Sequence, residues 1–379
     1  MIYLDNNATT QVVPEVFDAI RPFLDSSYGN PSSAYSLGRE VKAEIEKARR
    51  SVSELLGAAT AREITFTSGG TESDNWAILG ALEAFPEKRH IVTTRVEHEA
   101  VRKLCEKLET NGYSVSWLDV DELGALDFDQ IRDSISYDTA VVSVMMANNE
   151  TGVLFPVAEI AETVKDKSNA VFHVDGVNAA GKVAIDLKNT GIDLFSISAH
   201  KFHGPKGVGA LYIRDGVELP SIQIGGGQEN ARRAGTEAVH QIAGIGAAAR
   251  YVSDFSSIER VRGLRDKLEN AIIETIPKTT VNGDPNLRIP NTSNISFENM
   301  NGEMILSRLD DEGICVSTGS ACHAADHSAS PVLQAMNIPY TRSMGSIRFS
   351  LGRLNTEEEI GRVLAILPSM IDELGAIVQ

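Results

Sequence analysis

Lys201 closes the run Ser196-Ile197-Ser198-Ala199-His200-Lys201 and is followed by Phe202-His203-Gly204-Pro205-Lys206-Gly207. The first stretch starts as an apolar strand and the second is a glycine-rich polar turn. A lysine held at a dry sheet end loses proton affinity and becomes an amine nucleophile, able to carry an aldehyde cofactor as a Schiff base. The competing reading is a loop lysine that happens to follow a strand. Asp175 ends another apolar run, Val171-Phe172-His173-Val174. A lone buried carboxylate is costly unless it meets a cation, and a protonated pyridine nitrogen would be one. Ser68-Gly69-Gly70-Thr71 stands ahead of a helix, where small residues let backbone N–H groups approach a phosphate. Ser198 and His200 could add donors from the other wall. His98 could stack on a ring and shuttle protons, although a lone histidine is more often a core or capping residue. A phosphate cradle, a carboxylate for a ring nitrogen and a Schiff-base lysine together specify pyridoxal 5′-phosphate (PLP).

The elements that must position these residues are legible as periodicity. Val41, Ile45, Ala48, Val52 and Leu55 recur at helical intervals over 39–57. Strands are expected at 64–67, 90–94, 115–118, 140–146, 171–174, 194–198 and 209–213. Helices are expected between them at 72–85, 99–111, 128–135 and 157–167, and after them at 238–255. Several of the strands are continuous apolar runs, which implies burial on both faces. The expected fold is therefore α/β, a mostly parallel seven-stranded sheet flanked by helices. From 257 the order changes to helix, strand, strand, helix, strand, helix, with strands at 292–297, 314–317 and 346–350. This is a smaller α+β C-terminal domain. The division reads as an N-terminal segment 1–15 packing with the small domain, a large domain 16–256 and a small domain 257–379. Ligands of such sheets bind at the carboxyl ends of the strands. The turns there, including Glu97-His98, Asn148-Asn149-Glu150 and Asp175-Gly176-Val177-Asn178, would face one crevice together with Lys201.

Composition narrows the function classes. The chain has 379 residues, 42% hydrophobic, with a net charge of −17. No broad cationic field is available for nucleic acid or an anionic membrane, and no apolar segment approaches the ~20 residues of a membrane span. Met1-Ile2-Tyr3-Leu4-Asp5 lacks the basic start and apolar core of a secretory signal, so a cytoplasmic location is expected. Cys105, Cys315 and Cys322 form no disulfide framework. Cys105 and Cys315 read as core thiols. Cys322 follows small polar residues and precedes His323, Asp326 and His327. Those could be metal ligands or a solvated loop, and the lack of a separate ligand cluster favours the loop and no metal site.

Taken as a set, these motifs resemble the NifS/IscS-type cysteine desulfurases of the class V aminotransferase superfamily. The resemblance rests on Phe66-Thr67-Ser68-Gly69-Gly70-Thr71-Glu72-Ser73, Glu97-His98-Glu99-Ala100-Val101, Asn148-Asn149-Glu150-Thr151-Gly152 and the Lys201 stretch. It rests equally on Gly225-Gly226-Gly227-Gln228-Glu229, Arg233-Ala234-Gly235-Thr236, Ser317-Thr318-Gly319-Ser320-Ala321-Cys322 and Ser346-Ile347-Arg348-Phe349-Ser350-Leu351-Gly352-Arg353. It runs from Leu4 to about Glu359. The resemblance implies a PLP fold-type I homodimer with sites at its interface. Gly70, Thr71, Ser198 and His200 would hold the phosphate, joined by Thr236 from the other subunit. Asn149 would bind cofactor or substrate and Arg348 the substrate carboxylate. Asn178, where the family usually has glutamine, would reach the cofactor oxygen with a shorter amide. L-Cysteine would become L-alanine, its sulfur passing to Cys322 as a persulfide on a mobile loop at about 320–332. Lys201 would move the Cα proton, and His98 is a candidate acceptor for the thiol proton. A sulfur-acceptor protein is implied downstream, an iron–sulfur scaffold or a thiolation protein, and Cys322 could touch iron–sulfur iron during transfer. Alternatives on the same residues are a selenocysteine lyase, a transaminase, or a non-catalytic sulfur-carrier scaffold.

Overall fold

The computed structural model describes residues 1–318 and 329–378. A two-residue strand β1 (Ile2–Tyr3) precedes the main sheet. The sheet is built from β2 (Ile64–Thr67), β3 (His90–Thr94), β4 (Ser114–Leu118), β5 (Thr139–Met145), β6 (Val171–Asp175), β7 (Leu194–Ser198) and β8 (Gly209–Ile213). Their spatial order is β2-β8-β7-β6-β5-β3-β4. β3 to β7 run parallel, while β8 is antiparallel to both β7 and β2. The expected mostly parallel seven-stranded sheet is thus present, with one reversed strand.

Burial on both faces explains the continuous apolar runs. Successive residues of one strand enter different cores. Ile91, Val141, Val171 and Leu194 pack with Trp76, Ile78 and Cys105. Their neighbours Val92, Val142, Phe172 and Phe195 pack with Ile45, Val52 and Ile245. The period of two in side-chain direction sends alternate residues to opposite faces. The helices Gly70–Ala84 and Glu99–Thr110 cover one face; Ser36–Leu55, Val157–Lys167 and Val239–Val252 cover the other. This layering brings the carboxyl ends of β2, β3, β5, β6 and β7 to one rim, along with the start of β8.

The smaller unit is an antiparallel sheet. Its strands are β9 (Thr279–Val281), β10 (Thr292–Phe297), β12 (Ser317–Thr318) and β13 (Ser346–Ser350), in the order β12-β13-β10-β9. The helices Ile258–Thr275, Gly302–Asp311 and Glu357–Val378 share a core with it that also takes in Ile2 and Leu4. The stretch 314–317, expected as one strand, is divided. β11 (Ile314–Cys315) pairs in parallel with β1, and after Val316 the chain changes partner so that Ser317 faces Arg348 of β13. Strand alternation also corrects the reading of Cys315. Ile314 points into the core, so its neighbour Cys315 is only partly buried, whereas Cys105 is fully buried as expected. β1 and β9 are too short to show alternation and leave no periodic signal.

Candidate active site

The rim of the main sheet and one edge of the small domain enclose a cavity of about 420 Å³. At the end of β2 the chain turns at Gly69 (φ +154°) into the helix Gly70–Ala84, whose start has no side-chain cap. Its first N–H groups have no intrahelical acceptors and the helix dipole adds positive potential, so an anion is favoured there. The turn can be this tight because its neighbours are small. A Cβ on Gly209 would stand 2.5 Å from the Ile197 carbonyl oxygen and 2.7 Å from Gly69 Cα, and one on Gly70 would meet Val177 at 2.7 Å. Gly70, Thr71, Ser198 and His200 line both this cavity and an adjoining open one that also takes in Gly69, Lys206 and Gly207. Thr71 is exposed to it. His200 is pushed down to about 4 by burial and then by Lys201, so near neutral pH it is uncharged and offers a hydrogen bond rather than a charge.

Lys201 sits in a short 3₁₀ turn directly after β7 and lines the cavity. Its Nζ donates to the Asn7 carbonyl oxygen at 2.5 Å. Asp175 is the last residue of β6 and is buried. Its Oδ1 accepts from the Val177 amide at 2.8 Å, and no cationic side chain among the described residues lies within ion-pair distance of it. Burial raises its affinity for protons, while His98, the Val177 amide and Lys201 oppose the rise. The floor beneath is also acidic and dry. Asp74 is raised by burial and then by Asp175. It lies 3.5 Å from His173 Nε2. Burial pushes His173 down to about 3, so its ring is uncharged near neutral pH and that contact is not an ion pair. Glu97 Oε1 accepts from Thr94 Oγ1 and from the Met145 amide, each at 2.9 Å. Its other oxygen has no partner among the described residues, and burial pushes the acid up to about 8.

His98 caps the helix Glu99–Thr110, its Nδ1 accepting from the Ala100 amide at 3.2 Å. A nitrogen that accepts carries no proton, so in the neutral ring the proton is on Nε2. Burial lowers its proton affinity, with Asp175 opposing. His98 therefore joins the cavity lining as a neutral ring carrying a donor.

The opposite wall comes from the small domain and the N-terminal segment. Arg348, on β13, donates from Nη1 to the Asn149 carbonyl oxygen at 2.9 Å and from Nη2 to Asp5 Oδ1 at 2.6 Å. Its Nε is buried without a partner among the described residues. Glu150 is raised to about 7 by burial, opposed by a 2.5 Å hydrogen bond from Ser330 Oγ and by Arg348.

Gly70, Thr71, His98, Asn149, Asp175, Asn178, Ser198, His200, Lys201 and Arg348, all expected site residues, line this one cavity. Thr236 does not: it is exposed and absent from the lining, in a loop tied to the phosphate-cradle helix by two hydrogen bonds from Arg233 to Glu72 (2.9 and 3.1 Å). Cys322, with His323, Asp326 and His327, lies outside the described residues, and no metal-binding cluster occurs among those that are described. Asp5, Asn7, Asp74 and Lys182 were not singled out by sequence reasoning. The available signals were a charged residue in the small run Ala179-Ala180-Gly181-Lys182 and a polar start, Asp5-Asn6-Asn7, with no apolar period. The geometry suits PLP. A glycine cradle that a Cβ would fill could hold the phosphate, a buried carboxylate with no ion-paired cation among the described residues could hold a protonated ring nitrogen, and the Lys201 amine lines the same cavity.

Comparison with known proteins agrees. Residues 2–363 match the class V aminotransferases. A cysteine desulfurase of Trichormus azollae is 50% identical over 379 residues, covering 100% of this chain and 94% of that one. The cysteine desulfurase NifS of Azotobacter vinelandii is 50% identical over 375 residues, covering 98% and 93%. Among solved structures, a NifS-like protein superposes with a TM-score of 0.92 at 37% identity, covering 98% of this chain and all of that one. A structure of SspA in complex with cysteine gives 0.84 at 31%, covering 94% and 100%. With a sheet, a cavity and a lysine of this kind, the chain belongs to the class V aminotransferase family and, within it, to the NifS/IscS-type cysteine desulfurases.

Proposed function

We propose that the PLP-dependent cysteine desulfurase activity of this chain is carried by Lys201, His98, Asp175, Arg348 and Cys322. The observation that carries the assignment is the meeting of Lys201 and Asp175, from neighbouring strand ends, with Arg348 from the small domain in one cavity. Bound PLP supplies an electron sink for the substrate Cα once its proton has left. Gly70, Thr71, Ser198 and His200 hold the phosphate, and Thr236 completes that site from a second copy of the chain. Asp175 keeps the ring nitrogen protonated, and Asn149 and Asn178 bind cofactor or substrate. Lys201 Nζ carries the Cα proton, and His98, with Nδ1 taken up by the Ala100 amide and its proton on Nε2, acts as a donor to the cavity and not as the acceptor of the thiol proton that the sequence suggested. Arg348 binds the carboxylate of L-cysteine through its planar fork, including the Nε that has no other partner. Cys322 attacks the substrate sulfur as thiolate. The S–S bond forms as the C–S bond breaks, the electron pair stays with the substrate carbon, and alanine leaves a persulfide on Cys322.

The wider assignment is a cytoplasmic homodimer that delivers this sulfur to an iron–sulfur scaffold or a thiolation protein. It is divided into a segment 1–15, a large domain 16–256 and a small domain 257–379. No helix among the described residues is long and apolar enough to cross a membrane. Intact mass after incubation with L-cysteine tests the chemistry. The expected result is a gain of one or more sulfur atoms that is lost in Cys322→Ser. A gain that survives in Cys322→Ser would overturn the assignment of the acceptor.

A further inference from the structure

Lys182 is a buried lysine without a carboxylate. Only 8% of it is exposed, and its Nζ donates to two amide oxygens, Asn7 Oδ1 at 2.8 Å and Asn178 Oδ1 at 2.6 Å. No acidic side chain among the described residues lies within ion-pair distance of it. An amide can present either its oxygen or its nitrogen in a given direction, and its partner decides which. A lysine nitrogen, charged or neutral, has N–H groups for both oxygens, so Lys182 favours one orientation at Asn178, and does so at Asn7 together with Asn291 Nδ2, which donates to the same oxygen at 3.1 Å.

The consequence lies on the far side of each amide. Asn7 Nδ2 is directed to the Asn149 carbonyl oxygen at 3.1 Å and to Thr292 Oγ1 at 2.8 Å. That Asn149 oxygen also receives Arg348, and the Asn7 carbonyl oxygen receives Lys201. Asn178 Nδ2 donates one hydrogen to the Asn148 carbonyl oxygen at 3.1 Å. Its second hydrogen has no acceptor among the described residues, and Asn178 lines the cavity.

We infer that Lys182 is a positioning residue that fixes the polarity of the Asn7 and Asn178 amides, and so turns the Asn178 Nδ2–H toward an acceptor atom of the bound cofactor. The inference rests on the reading of the cavity as the PLP site. It explains why a lysine stands where its charge is poorly solvated: leucine or methionine would leave the Asn178 oxygen with no donor among the described residues, and the amide held only by its contact with the Asn148 carbonyl.

The test titrates PLP into apoprotein and follows affinity, the position of the visible absorption band and thermal stability. Lys182→Met and Asn178→Ala should each weaken PLP binding about five- to tenfold, the worth of one hydrogen bond. They should move the band in the same direction, and the double variant should bind within about twofold of the weaker single one. A Lys182→Met protein that melts earlier yet keeps wild-type affinity and band would overturn the inference, as would penalties that multiply. If Lys182→Met does not fold, Asn178→Asp decides, because it keeps a partner for Lys182 and replaces the donor by a second acceptor oxygen. It should lose affinity to the same extent, and wild-type binding by that variant would overturn the inference. Failure of the wild-type protein to take up PLP would instead overturn the reading of the site.

Discussion

On one side of the cavity, Thr71, Asp175, Ser198 and Lys201 stand at or just after strand ends of a single sheet. On the other, Arg348 and Asp5 meet across 343 residues of sequence and Arg348 and Asn149 across 199. The first wall is made by secondary structure. Its strands are buried along their whole length, so the positions of their last residues follow from the packing of the sheet. The second is made by docking, as β1, β13 and the turn after β5 are drawn together. In the proposed assignment the groups that would hold the PLP phosphate and ring nitrogen lie on the stiff wall. The substrate carboxylate would be received by the docked one, which would suit a site that must admit and release a small amino acid.

Changes to the docked wall should appear first in substrate binding. Arg348→Ala should lower kcat/KM about 100-fold, mainly through KM, and Arg348→Lys about tenfold, because a point charge replaces a fork. Steady-state alanine release measures both. An equal loss in kcat at unchanged KM would show that the two walls share one role.

The dryness of the sheet wall predicts a pH dependence of stability. Glu97 has a folded value of about 8 against an ordinary 4.5. The protonated acid therefore favours the fold fully below pH 4.5, and that contribution is lost as pH rises through 8. Glu97→Gln should remove this dependence, leaving the variant more stable than wild type above pH 8 by an amount on the order of 2 kcal/mol. Chemical denaturation across that range checks it, and parallel curves for the two proteins would contradict it.

A smaller effect tests the tightness of the same wall. Gly209→Ala should destabilise by about 1–2 kcal/mol, since its Cβ meets backbone on two sides. Gly263→Ala, with nothing within 4 Å of its Cβ in the exposed face of a helix, should instead stabilise by about 0.5–1 kcal/mol. Thermal melts of the pair separate packing from propensity. Equal shifts would mean that the Gly69–Gly209 approach is not tight.

Most of the stiff wall was legible in the residues alone. Continuous apolar runs, each closed by a polar turn, mark strand ends, and strand ends of a parallel sheet share one rim. The docked wall was legible only through motifs. Nothing in the periodicity of Tyr3-Leu4-Asp5-Asn6-Asn7 shows that Asp5 meets Arg348 or that Asn7 joins Lys201, Lys182 and Asn149. β1 is only two residues long, below the length at which alternation can be read, and the five residues of β13 show a strand without showing what docks against it.

What the sequence determined by itself was the sheet, its two cores and the place of Lys201 and Asp175 at strand ends, because side-chain period and burial are local properties of a strand. The tertiary structure decided the rest. It divided 314–317 between two partners, put the proton of His98 on Nε2 by making Nδ1 a cap, and set Lys182 beneath Asn7 and Asn178. Each depends on which distant group satisfies a polar atom, and that choice is made only when the chain closes on itself.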